Sequence, residues 1–286
     1  MKRAFLFLLG AAPVWAAQPP LDPADPAWGQ APALAVTLYP QSTVPGGPTG
    51  GPLPLEARRL AGDGLWAVRL AWPDATEDRM DARATHRFAD AVAVQFAPPG
   101  LPLPYVGMGE PERAVRLWFW RAGGPVERLS ARGFGSLARE AGPAPEARAQ
   151  RTATGWTVVL RGAAEPAAAV AFAAWDGAGN GRAGKKRLSA WQALTADAAA
   201  EASHGGDAAR GARLYAEHGC AGCHAPGVWT GPDLSHAGGV HAPAYLRRAI
   251  REPAAFLVPG YPAIMPAPEL TPVEVENLVA YLMTLR

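Results

Sequence analysis

The chain is almost without lysine. Of its 27 basic residues only Lys2, Lys185 and Lys186 are lysines, and the rest are arginines. A sequence that uses arginine wherever a plain positive charge suffices still keeps two adjacent lysines, in GNGRAGKKRLSAW (Gly179–Trp191). Cysteine is nearly as scarce. The two present, Cys220 and Cys223, exclude a disulfide-stapled fold. A chain of 286 residues with 49% apolar content can bury one large core or two ordinary ones without such staples. Surplus charge is missing too. The formal net charge of +2 matches the contribution of Lys2 and Arg3 alone, so the remainder sums to zero. Nothing supplies the basic field that a nucleic-acid partner needs. Beyond the N-terminus, no run is apolar for long enough to cross a bilayer.

The N-terminus reads as an export signal. Lys2 and Arg3 precede AFLFLLGAAPVWA, an apolar run too short to stay in a membrane as a helix, and Val14 and Ala16 make a small-x-small site before Ala17. A buried first helix is the alternative, but Pro13 and the abrupt change to QPPLDPADP oppose it. Residues 1–16 are therefore expected to be removed, and the mature chain to be periplasmic with no transmembrane segment.

What remains divides by periodicity. From residue 17 to 195 the chain is punctuated by short runs rich in Val, Leu, Phe and Trp: ALAVTLYP, GLWAVRLAW, DAVAVQF, AVRLWFW, TGWTVVL and AAVAFAAW. Most alternate, Gly/Pro turns separate them, and no helical period intervenes, which predicts an antiparallel β-sandwich. PQSTVPGGPTGGPLP reads as a loop or hairpin excursion. Residues 196–206, small and polar, read as a linker. From 207 to 286 the period is helical. Asp207 can cap a first helix, APAYLRRAIREP forms a second, and Thr271, Pro272 and Glu274 open a last one with a capping box. Leu278, Tyr281, Leu282 and Leu285 fall on one stripe of it.

The two cysteines sit in CAGCH. Two thiols at this spacing can form thioethers with the vinyl groups of a haem, and His224 is then placed under the iron. A redox dithiol is the other reading, but no βαβ pattern surrounds the motif. A second iron ligand could come from Met265, in YPAIMPAPELT, or from Met283, His236 or His241. Residues 207–286 resemble a class I c-type cytochrome on Gly211 and Tyr215, CAGCH, GPDL (Gly231–Leu234), the MP at Met265 and Tyr281. The resemblance implies a small all-α domain. It also implies haem c bound covalently through Cys220 and Cys223, with His224 and Met265 on the iron.

A sandwich by itself says little about function. GLWAVRLAWPD, HRFADAVAVQF, YVGMGEPERAVRLWFWRA and AFAAWDGAGNGRAGKKRLSAW, however, resemble the haem-binding domain of the ethylbenzene dehydrogenase gamma-subunit family. Gamma subunits of dimethylsulfide dehydrogenase, selenate reductase and chlorate reductase belong to it. The likeness runs from Trp66 to Leu194. It implies a non-covalent haem b with one methionine and one lysine on the iron.

That would explain the lysines. Arginine, with a pKa above about 12, offers no neutral lone pair, whereas a buried lysine can lose its proton and bind iron. A second lysine beside it would lower its pKa further. A solvated basic turn is the plain alternative. Counting back from Ser189 and Trp191 puts the family lysine at Lys186, although the loop offers Lys185 as well. For the methionine, Met108 stands between two glycines that would let the backbone approach a flat ligand, with Met80 the competitor in this half. His86 is read as a partly exposed strand residue, and Trp118, Phe119, Trp120 and Trp175 as possible pocket walls or as core.

Two haems on one exported chain describe an electron carrier. The resemblance implies the gamma-type subunit of a molybdenum enzyme of the dimethyl-sulfoxide-reductase superfamily. Its partners would be an iron–sulfur beta subunit, a molybdopterin alpha subunit and an external redox partner such as a soluble cytochrome or a membrane quinol/cytochrome system. The contrasting readings are an extracellular ligand-binding sandwich with a cytochrome tail, and a sandwich enzyme feeding electrons to that tail.

Overall fold

A computed structural model describes residues 14–15, 17–43, 47–48, 50–81, 83–84 and 86–286. Most of the expected leader lies outside these residues. In chain order the strands are β1 (Val14–Trp15), β2 (Leu34–Pro40), β3 (Leu53–Gly62), β4 (Leu65–Pro73), β5 (Ala91–Ala97), β6 (Val115–Arg121) and β7 (Glu127–Ala131). They continue as β8 (Ala138–Arg139), β9 (Glu146–Arg151), β10 (Gly155–Ala163), β11 (Ala169–Trp175), β12 (Arg187–Leu188) and β13 (Gln192–Ala193). One layer runs β2-β3-β4-β10-β9 and the other β8-β7-β6-β5-β11-β12, joined where β12 pairs with β2. All pairings are antiparallel except β1 with β3. This is the sandwich that the alternation predicts.

Its core lies between the layers, where Leu38, Leu70, Val92, Trp118 and Leu160 are essentially inaccessible. Each such side chain contributes about 1.5–3 kcal/mol by leaving water. Strand β6 shows how period two sorts the aromatics. Trp118 and Trp120 enter this core, edge-on to Phe96 and Trp156, while Phe119 faces the opposite side, where Trp175 meets it edge-on. His86 does not begin a strand. It lies exposed in a turn, and β5 starts only at Ala91.

The helices are α1 (Ala196–Glu201), α2 (Ala208–Glu217), α3 (Ala221–His224), α4 (Ala237–Val240), α5 (Pro243–Arg251) and α6 (Pro272–Leu282). Asp207 caps α2 through the amides of Ala209 and Arg210, and Thr271 and Glu274 close a capping box on α6. Helices α2 and α6 cross at Gly211, where an added Cβ would run into the Asn277 carbonyl. Tyr215 and Tyr281 pack beside the crossing, 5.2 Å between ring centres. Among the described residues no helix is long and apolar enough to cross a membrane.

The expected linker opens as structure. Thr195 caps α1, Ala198 is buried, and Glu201 accepts the Leu103 amide at 2.9 Å. The helical half then packs directly on the sandwich. Val240 and Ala242 share a core with Leu117, Leu188 and Trp191, Arg248 pairs with Glu110 at 2.6 Å, and Tyr105 is surrounded by His241, Tyr245 and Phe256.

His241 is 3% exposed within this seam, its Nδ1 has no hydrogen-bond partner, and burial pushes its pKa down to about 4. The neighbouring groups are phenols, which burial pushes up, and beyond them the Glu110–Arg248 pair. The unfolded chain takes a proton on this imidazole near pH 6.5 and the folded chain does not, so stability is lost as pH falls from 6.5 towards 4, by about 3 kcal/mol. Urea unfolding at pH 7 and pH 5 should show about 2 kcal/mol of that loss, and His241→Phe should remove this contribution. An equal loss in the variant would mean that other groups carry it.

Candidate functional site

In the sandwich, Lys186 and Met108 meet: Lys186 Nζ lies 3.2 Å from Met108 Sδ. The contact forms on the wall of a cavity of about 580 Å³, which Leu117, Phe119, Leu129 and Trp175 also line. Its volume is that of a cofactor pocket. Adjacent residues of an extended segment face opposite ways. Lys186 accordingly points inward and is 4% exposed, while Lys185 is half-buried at the surface. Among the described residues no carboxylate pairs with Lys186, whose ammonium position lies 5.4 Å from the Trp175 ring centre. Burial lowers its pKa to about 8, and burial is the cause; the adjacent lysine charge adds nothing. Such a group readily loses its proton to become an electron-pair donor.

Met108 sits at φ +104, a conformation that side-chain residues rarely adopt and that costs about 1–3 kcal/mol. The surrounding loop holds it there. Gly109 N donates to Tyr105 O at 2.9 Å, Gly133 N to Met108 O at 2.8 Å, and the Glu110 carboxylate accepts the Tyr105 amide at 2.8 Å. The flanking glycines have a reason other than approach to a ligand. A Cβ on Gly107 would strike the Tyr105 ring, and one on Gly109 would crowd the carbonyls of Arg113 and Ala131. Met80 lines the same cavity, yet its sulfur does not reach Lys186. Of the four aromatics that sequence offers as walls, the structure gives the cavity Phe119 and Trp175 and the core Trp118 and Trp120. The lining also carries Arg87 and Arg182, which suit carboxylates, whereas Arg121 and Arg139 are already paired with Glu127. A soft sulfur, a neutralisable amine, aromatic walls and cationic edges fit a haem with two propionates.

The CAGCH site lies on α3 and the residue before it. Cys220 and His224 are one turn apart, and His224 N donates to Cys220 O at 3.1 Å, so thiols and imidazole share a side of the turn. Both thiols are free; burial pushes that of Cys220 up, while Cys223 is exposed. His224 Nδ1 lies 2.8 Å from Pro232 O, which fixes the proton on that nitrogen and leaves the Nε2 lone pair available to a metal. Gly231 is needed there because a Cβ would come within 2.8 Å of the His224 ring. Free thiols and an oriented imidazole fit a covalently held haem.

Met265 is 40% exposed on the loop before α6, and among the described residues no polar contact joins it to His224. Met283 packs in the helical core, and His236 and His241 pack on Tyr39 and Tyr105 of the sandwich. What sequence reasoning missed is the contact between halves made by Ser42 with Asp233 and by Glu110 with Arg248. The signal for Glu110 was its place in YVGMGEP, and the others carried none.

Residues 208–286 match the cytochrome c family model. The chain is 31% identical over 194 residues to a protein of Haloferax mediterranei assigned as a respiratory nitrate reductase haem subunit, covering 62% of this chain and 69% of that one. It is 34% identical over 189 residues to the chlorate reductase gamma subunit of Ideonella dechloratans, covering 60% and 78%. A family 9 carbohydrate-binding module from Caldicellulosiruptor kristjanssonii, solved with cellotriose, overlays 65% of this chain and 85% of its own at 9% identity. Its TM-score of 0.36 is too low to bear on function. The molecule is thus a β-sandwich joined to a cytochrome c domain. It belongs to the family of gamma-type haem subunits of reductases, in a form fused to a C-terminal cytochrome c.

Proposed function

We propose that this chain is the periplasmic electron-transfer subunit of a molybdenum oxidoreductase of the dimethyl-sulfoxide-reductase superfamily, holding one haem c and one haem b. The observation that carries this reading is the buried Lys186–Met108 contact inside an aromatic-walled cavity. Met108 and Lys186 would hold the iron of haem b through their sulfur and amine. Cys220 and Cys223 would hold haem c, and His224 and Met265 would supply its iron with nitrogen and sulfur donors. Each iron supplies single-electron exchange between its ferrous and ferric states. Electrons then pass between an iron–sulfur beta subunit, next to a molybdopterin alpha subunit, and an external redox partner. The reductase names of the two relatives support the setting.

The test is pigment analysis. Protein recovered from the periplasm, its chain starting at Ala17, is denatured in pyridine and alkali and should show haem b and haem c bands together. A c band alone sinks the haem b assignment and leaves a ligand-binding sandwich with a cytochrome tail. Met265→Ala should leave haem c attached and lower its potential markedly, because a thioether partner to histidine raises it. An unchanged potential and spectrum would move the ligand elsewhere.

A further inference from the structure

We infer that residues 41–42, where the chain leaves β2, are the electron route between the two haem sites. The inference rests on the two-haem reading above. Lys186 and His224, one candidate ligand from each site, are joined by an unbroken line of bonds. His224 Nδ1 lies 2.8 Å from Pro232 O, Pro232 is peptide-bonded to Asp233, and Ser42 Oγ donates to Asp233 O at 3.0 Å. Ser42 is peptide-bonded to Gln41, whose amide donates to Lys186 O at 3.1 Å. The line needs only three hydrogen bonds, His224–Pro232, Ser42–Asp233 and Gln41–Lys186, and is otherwise covalent. Electronic coupling decays more slowly along covalent and hydrogen bonds than across van der Waals gaps, so this line is favoured over direct jumps through packed side chains.

The fold holds the line at fixed length. Pairing of Pro40 with Arg187 and Tyr39 with Leu188 sets the register that brings Gln41 to Lys186. On the other side the Tyr39 ring packs on Gly239, where a Cβ would overlap it, and on His236, 5.8 Å between ring centres. That contact keeps Asp233 beside Ser42. The competing path is the aromatic group around Tyr105. It connects the Met108 loop to α5 and joins the same line at Ser42, because Tyr105 Oη lies 2.9 Å from Thr43 Oγ1 and Thr43 is peptide-bonded to Ser42, so both branches cross the Ser42–Asp233 bond.

The step is a one-electron exchange. With both haems bound, they would supply the donor and acceptor, and residues 41–42 would only conduct the electron; no bond of the chain is made or broken and no proton moves. Ser42→Ala deletes the hydroxyl bridge and touches neither ligand set, and Ser42→Thr keeps the hydroxyl. In the full chain carrying both haems, laser-flash reduction should show intramolecular transfer slowed severalfold in Ser42→Ala and restored in Ser42→Thr. Both potentials and both low-spin spectra should stay unchanged. An unchanged rate in Ser42→Ala overturns the route, and a rate lowered as much by Tyr105→Leu as by Ser42→Ala overturns the path through Gln41 in favour of the Tyr105–Thr43 branch. A slowed rate with a shifted potential or spectrum overturns it as well, because Ser42 would then act on the geometry of a site. Failure of the two-haem reading is seen separately, as a wild-type chain without haem b before any kinetics are run.

Discussion

Lys186→Gln is expected to yield a chain that keeps its covalent haem and loses the non-covalent one. Glutamine is close in length but has no basic nitrogen, so the lone pair that burial makes available in Lys186 is gone. The polypeptide should survive, since the change removes a buried amine that no carboxylate balances, and an uncharged amide costs less to bury than an ammonium. Lys186→Arg should fail in the same way, because guanidinium keeps its proton. Lys185→Gln should keep normal haem b, since that side chain faces the surface. The measurement is haem b content per covalent haem, together with the low-spin spectrum. Loss in the Lys185 protein alone would move the ligand by one residue. Normal haem b in both proteins would reduce the pair to a basic turn.

Gly211→Ala should destabilise the helical half, against what helix propensity says. Alanine inside a helix is worth about 1 kcal/mol more than glycine. At this position the added methyl would overlap the Asn277 carbonyl and press on Tyr281 Cβ, so α2 and α6 must move apart. Overpacking of a tight contact costs about 1–3 kcal/mol, and here the obstacle is backbone, which yields least. With backbone as the obstacle the cost lies towards the upper end of that range and outweighs the propensity gain, for a net loss of up to about 2 kcal/mol. Urea unfolding followed by far-ultraviolet circular dichroism would read it. A gain in stability would mean that the crossing is looser than the structure has it.

Six strands and three of the helices could be read from periodicity and caps, because those signals are local. Strand β3 could not. Its run LPLEARRLAG looks too charged for a sheet, and only the folded chain shows how the charges are met. Arg58 reaches Glu56 and the carbonyls of Trp28 and Ala31, and Arg69 reaches Glu56 from β4. Lys186 was legible from the scarcity of its residue type, and Met108 from its unusual flanks, though those flanking glycines serve Tyr105 and the loop. The W-F-W of β6 held more than was taken from it, since period two already sends Phe119 to one side and both tryptophans to the other. The seam between the halves had no local signature. Ser42 meets Asp233 and Glu110 meets Arg248 only because the whole sandwich places them together.

Because that seam is a core and not a hinge, the stretch from Ser203 to Asp207 carries little of the attachment. It is mostly exposed and without regular structure, whereas Val240 and Ala242 are sealed against the sandwich and Arg248 is clasped to Glu110. A protease that nicked the exposed stretch would leave two polypeptides that still migrate as one particle, and separating them would take denaturant.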